Sequence, residues 1–237
     1  MQLPFFYIDQ FDPSEKLLVL DENNSRHMVQ ALRMQPGNEL HLTDGNGHLL
    51  TAEITESHKK HSAVKVVSTT FTEAAGPEVT LAISLLKNIS RFEWFLEKTT
   101  EIGVSRIVPL VCARTEKQKV RHDRLKNIMI SAMLQSRQTW LPKLHEPISF
   151  DEFIQNTVFQ TSDLKYIAHC IEGEKQSIKI ADRSAIILVG PEGDFTPAEI
   201  DVALQNQYQP VTLGNTRLRT ETAGIVAATL LKVNGGC

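Results

Sequence analysis

Two bends carry the residues with the most chemical promise. In the first, an apolar run, Ile186-Ile187-Leu188-Val189, stops at Gly190-Pro191-Glu192-Gly193, and Asp194-Phe195-Thr196-Pro197 leads into a helix. Gly190 and Gly193 remove side chains, so backbone amides and carbonyls can approach a ligand closely, and Pro191 stiffens the turn. The glycine spacing of a dinucleotide fingerprint and the Gly-Lys-Ser/Thr ending of a P-loop are both missing. A glutamate inside the turn disfavours phosphate and suits a ligand with hydroxyls, amines or positive charge. In the second bend, Val211-Thr212-Leu213 ends at Gly214, and Arg217 and Arg219 follow directly. Two arginines just past a strand end lie where a substrate would sit. A tight turn without a ligand would explain either Gly190 or Gly193 alone, and tight helix packing is the preferred reading of Gly224 and Ala227.

The elements that position these bends follow from periodicity. Thr196 as N-cap, Pro197 at the first helical position and Glu199 form a capping box, with Phe195 and Ile200 as a hydrophobic staple. From Val79 onward strands alternate with helices: strands at Val79–Leu86, Arg106–Val111, Tyr166–Cys170, Ile186–Val189 and Pro210–Leu213, and amphipathic helices after Ser90 and over Arg124–Arg137. Ser90 and Glu93 read as a capping box for the first of these helices, and Gly103 as its left-handed end. Asp151–Thr157 reads as a short helix. Such alternation predicts a largely parallel sheet with ligands at the carboxyl ends of the strands. Residues 1–72 instead read as short strands, with Asp44-Gly45-Asn46-Gly47 as a hairpin turn and one short helix near Asn24–Met34. The stretch Thr72–Pro77 is the best linker.

Composition is that of an ordinary globular chain of 237 residues, large enough for one big domain or two modest ones. No apolar stretch approaches the roughly 20 residues of a membrane helix, and no signal peptide opens the chain, so a cytoplasmic protein without membrane association is expected. Cys112, Cys170 and Cys237 are widely spaced, which favours inert reduced thiols over disulfides or a metal site. Net charge is −3, yet Lys87–His145 carries twelve Lys/Arg against five acids, +7, leaving −10 for the remainder. Asymmetry of this kind suits a polyanion partner.

Three segments, LVGPEGDFTPAEI, VTLGNTRLRTETA and KNISRFEWFLEKTTEIGVSRIVPL, together with His27–Gly37, resemble in order the signature segments of the RsmE family, the ribosomal RNA uridine N3-methyltransferases of the SPOUT superfamily. The resemblance implies an α/β fold: a C-terminal SPOUT-type parallel sheet over residues 73–237, with a deep trefoil knot from roughly 165 to 237, and a small N-terminal PUA-like β-barrel over 1–72. It also implies a homodimer, S-adenosyl-L-methionine as cofactor, no metal, and 16S ribosomal RNA as partner. The cofactor pocket would use Ala168 and His169, with Cys170 completing that wall, then Leu188, Gly190, Pro191, Glu192 and Gly193, and Leu213, Gly214, Leu218 and Arg219.

The chain departs from the family pattern in three places. Asp194 stands where a second glycine is usual, Arg217 replaces an apolar residue, and Arg137 sits one position from the usual arginine after Gln135-Ser136. For catalysis, Arg219 is expected to stabilise charge on the uracil carbonyls, with Glu221 a weaker candidate for proton acceptor. Arg26, Arg33, Arg91, Arg114, Arg121, Arg124 and Arg137 are candidates for RNA phosphate contacts. His27 reads as a core or turn residue. Two other functions fit the same features: a ribose 2′-O RNA methyltransferase and a non-catalytic RNA-binding protein.

Overall fold

A computed structural model describes residues 2–116, 119–178 and 183–232. Lys117 and Cys237, counted above, lie outside them. The chain divides into two compact units, Met1–Ala74 with Met133–Leu141, and Ala75–Ala132 with Pro142–Cys237.

In the first unit the described residues form a five-stranded sheet, ordered β1 (Phe5–Tyr7), β3 (Glu39–Thr43), β4 (His48–Glu56), β5 (Ala63–Phe71), β2 (Leu17–Val19). All its pairs are antiparallel except β1 with β3. Leu50, Ala52 and Ile54 of β4 and Val64 and Val66 of β5 alternate into one core, the period of a strand with one buried face. The expected helix is shorter and less regular than periodicity suggests. α1 (Glu22–Arg26) starts at Asp21, whose carboxylate accepts from the Asn24 amide at 2.8 Å. It then widens into one π-turn over His27–Ala31 that delivers Met28, fully buried, to the core.

The hairpin at Asp44–Gly47 needs its glycines, at φ 71° for Gly45 and 94° for Gly47. It also receives a strap from far along the chain. The Gly47 amide donates to Thr139 O (2.9 Å), the Leu141 amide to Gly45 O (2.9 Å), and the Trp140 indole to Thr72 O (2.8 Å). Nothing in the sequence reading placed 133–141 with this unit.

The second unit is built on a parallel sheet, ordered β11 (Gln176–Ser177), β13 (Gln209–Thr212), β10 (Leu164–Ala168), β12 (Ala185–Val189), β6 (Val79–Ser84), β7 (Arg106–Val111), β8 (Lys143–Leu144), with β9 (Ile148–Ser149) also on β7. β6 and β12 are buried at every residue, as strands covered on both faces must be. Among the described residues its helices are α2 (Ile89–Ile102), α3 (His122–Gln135, of which residues 133–135 count with the first unit), α4 (Phe150–Gln155), α5 (Pro197–Gln205) and α6 (Thr220–Lys232).

The caps are local and mostly match expectation. Gly103 ends α2 at φ 85°, and α5 carries the Thr196–Glu199 capping box. The start of α2 is a correction. Asn88, not Ser90, is the cap, its side chain accepting from the Ser90 amide, because Glu93 is drawn away to Arg124 at 2.5 and 3.0 Å. Gly224 of α6 is a packing residue as read: a Cβ there would lie 2.5 Å from the Phe95 ring on α2 and 2.8 Å from Ile83.

Candidate active site

Three strand ends set the site. β10 lies between β12 and β13, and register places Ala168 opposite both Val189 and Val211. Because all three strands run the same way, the chain leaves each of them at one edge of the sheet, where open α/β sheets hold ligands. The loops that follow wall one cavity of about 360 Å³, lined by Ala168, Cys170, Val189, Gly190, Pro191, Glu192, Asp194, Arg217, Leu218, Arg219, Thr220 and Ala223. That size suits a small molecule.

The first bend is held from several sides. A Cβ at Gly190 would lie 3.0 Å from the Phe195 ring, so the turn closes tightly over that buried side chain. Asp194 takes φ 64°, a conformation Asp adopts more readily than most residues. Its carboxylate accepts from the Phe195 amide at 2.9 Å and from the Cys170 amide at 2.8 Å. The residue that departs from the family glycine thus joins the bend to the loop after β10.

On the opposite side, buried Glu199 accepts from the Ala113 amide at 2.8 Å as well as from Thr196. Arg114 donates to Gly193 O at 2.7 Å and to Phe195 O at 3.4 Å. The loop after β7 is therefore clamped to the bend, and Glu192 accepts from the Lys87 amide at 3.3 Å beside it.

Of the residues named from sequence for the cofactor, Ala168, Cys170, Gly190, Pro191, Glu192, Leu218 and Arg219 are brought into one wall. His169, Leu188, Gly193, Leu213 and Gly214 are not in it. Leu188 is fully buried inside β12, and Gly214, at φ 135°, precedes the wall. His169 is half-buried, with Nδ1 lacking a hydrogen-bond partner, and burial holds it below its ordinary pKa, with Lys175 adding to the shift. Val189, Thr220 and Ala223 were missed. The last two stand three apart at the start of α6, a spacing that puts them on one helix face.

Arg217 and Arg219 are exposed, and neither guanidinium has an ion-pair partner among the described residues. Glu221 is placed differently. Its side chain is 7% exposed and turned toward α2, with Oε1 3.7 Å from Arg91 Nε and Oε2 unpartnered, and it does not line the cavity. Of the thiols, burial pushes Cys112 up to about 12, which makes it inert. Cys170 instead is exposed on the cavity wall.

The arginines read as phosphate contacts are variously engaged. Arg26 pairs with Glu22, Arg91 with Glu221, Arg124 with Glu93, and Arg114 turns inward to the bend. Arg137, at φ 60°, donates to Leu3 O at 2.9 Å with its guanidinium 5.8 Å from the Phe5 ring centre. Arg33 and Arg121 are exposed without a partner among the described residues. Among those residues no group of three or more His, Cys, Asp or Glu is placed to hold a metal ion, and no helix is long and apolar enough to cross a membrane.

The parallel sheet gathers the loops after β10, β12 and β13 over one cavity at its edge, and the chain belongs to the RNA methyltransferase family. The domain model of that family matches residues 73–232, and the RNA methyltransferase PUA domain matches 20–67. Within it, the chain is 34% identical over 160 residues to ribosomal RNA small subunit methyltransferase E of Mesomycoplasma hyopneumoniae, covering 64% of this chain and 68% of the relative. A probable rRNA-methyltransferase from Porphyromonas gingivalis superposes with TM-score 0.88 at 34% identity, over 96% of both chains. The ribosomal RNA small subunit methyltransferase E from Neisseria gonorrhoeae, bound to S-adenosyl methionine, gives 0.84 at 29% identity, again over 96% of each.

Proposed function

We propose that this protein methylates N3 of a uridine in small-subunit (16S) ribosomal RNA with S-adenosylmethionine as donor, acting in the cytoplasm as a homodimer whose chain is knotted from roughly residue 165. The observation that supports the reading best is that Gly190–Glu192 of the first bend, Arg217–Thr220 beyond the second and the end of β10 wall one cavity. The residues there fit the donor. The cavity, about 360 Å³, admits a small molecule, Gly190 and Pro191 bring the bend to its wall, and Glu192 offers a carboxylate suited to hydroxyls or positive charge. When bound, S-adenosylmethionine supplies an activated methyl group.

The chain's own residues supply position and charge. Holding two substrates in line is worth roughly 7 to 11 kcal/mol, whereas one positioned base gives about 10² to 10⁴ in rate. Positioning therefore carries the larger share. Arg219 stabilises the negative charge that the uracil carbonyls gain as the N3 proton passes to solvent water. Glu221 serves this reading as the residue that holds Arg91 at the first turn of α2, not as the proton acceptor.

Arg114 is a positioning residue of the donor site rather than a phosphate contact. Arg114→Ala should raise the Kd for S-adenosylmethionine about tenfold, the loss of one charge-assisted hydrogen bond, with RNA affinity within twofold. Calorimetry and filter binding measure the two, and a loss confined to RNA affinity would return Arg114 to the RNA face. The reaction itself is tested by incubating the protein and donor with ribosomal RNA from a strain lacking it, then digesting to nucleosides. N3-methyluridine is the expected product, and a 2′-O-methyl nucleoside overturns the assignment.

A further inference from the structure

A second cavity of about 330 Å³ lies between the first turns of α2 and α3, lined by Ile89 and Glu93 on one side and by Lys119, Arg121, Arg124 and Leu125 on the other. Three cations face one carboxylate. That carboxylate, Glu93, is committed to the Arg124 guanidinium through two hydrogen bonds, whereas Lys119 and Arg121 are exposed and carry no carboxylate partner among the described residues. The helix starts add partial positive charge to the same space.

The location matters as much as the charge. The chain enters α2 from the carboxyl end of β6 and approaches α3 from the carboxyl end of β7. Those strands follow β12 in the parallel sheet, so this cavity opens at the same edge as the donor cavity. In the sheet β6 stands next to β12, and β7 one strand beyond it. Arg91 on the first turn of α2 links the two through Glu221, which follows Arg219 and Thr220 of the donor wall.

We infer that this cavity seats a backbone phosphate of the RNA strand whose target base is presented to the donor cavity. The inference rests on the RNA methyltransferase reading and adds where the strand is gripped. Lys119 and Arg121 provide the charge, and Arg124, fixed by Glu93, supplies a rigid side to the seat.

The test is the double variant Lys119→Ala/Arg121→Ala, whose exposed side chains can be removed without touching the core. RNA affinity is expected to weaken about tenfold near physiological salt, and the slope of log K against log salt to fall by about one to two. Affinity for S-adenosylmethionine and the melting temperature should stay unchanged. Unchanged RNA affinity and slope overturn the proposal, as does a variant that loses binding of inorganic phosphate yet keeps its RNA affinity, since the seat then serves a small free anion. The readout is RNA binding, not turnover. A wild-type protein that binds RNA with the expected slope and transfers no methyl group would therefore refute the proposed reaction while leaving the phosphate seat standing.

Discussion

Arg219→Ala is expected to lower kcat for RNA methylation by about 10² to 10³, the usual loss when one preorganised charge-stabilising donor is removed, while RNA and donor affinities change less than threefold. A uracil that has given up its N3 proton spreads negative charge onto two carbonyl oxygens flanking the reacting nitrogen. A guanidinium answers that geometry with a planar fork of donors, which an ammonium cannot. Arg219 lines the donor cavity, and its guanidinium has no ion-pair partner among the described residues, so its charge is available to a substrate. Arg219→Lys should restore only part of the rate. Single-turnover kinetics with saturating RNA separates the chemical step from binding. Undiminished turnover in the alanine variant would remove Arg219 from the chemistry and pass the role to Arg217 on the same wall.

Gly47→Ala should be the most damaging single-methyl change in the β-rich unit. A Cβ there would stand 2.7 Å from the Trp140 ring, 2.8 Å from the Phe71 ring and 2.8 Å from Thr72 O, at φ 94°. Left-handed backbone costs a non-glycine residue about 1–2 kcal/mol, and overpacking adds about 1–3 kcal/mol. In a unit of this size, where each kcal/mol moves the midpoint by roughly 4–8 °C, a loss of about 10 °C or more follows. Gly37→Ala separates the two causes. It has φ 86° with nothing within 4 Å, so it suffers the backbone strain alone and should shift the midpoint by half as much or less. Equal shifts in the two variants would mean that the contact with Trp140 contributes nothing.

What the sequence disclosed was whatever short-range chemistry decides. The capping box of α5, the left-handed Gly103, the buried runs of β6 and β12 and the two ligand bends are each written in fewer than fifteen consecutive residues. Elements fixed by distant partners were harder to read. β1, β2, β8, β9 and β11 are two or three residues long and exist because a neighbouring strand offers them an edge, so no periodicity announces them. The cap of α2 was misplaced because Asn88 and Ser90 are both good caps, and only the pull of Arg124 on Glu93 decides between them.

The site shows the same division. Gly190, Pro191 and Glu192 were legible because their backbone and charge act locally. The direction of a long side chain was not legible. Arg114 contributes to a basic segment on paper, yet it reaches across to two carbonyls of the bend 79 and 81 residues further on. Glu221 likewise follows the second bend in sequence, but the first turn of α6 aims it at α2.

The strap that closes the hairpin has a consequence for synthesis. While the ribosome is still making the parallel-sheet unit, the nascent β-rich unit lacks Thr139, Trp140 and Leu141, so the Gly47 amide and the Thr72 carbonyl have no protein partner from that segment. Its last piece arrives only after the stretch from Ala75 to Ala132 has been translated. The amino-terminal unit therefore begins first and finishes late, and a fragment cut at residue 74 should emerge less stable than the same sheet within the full chain.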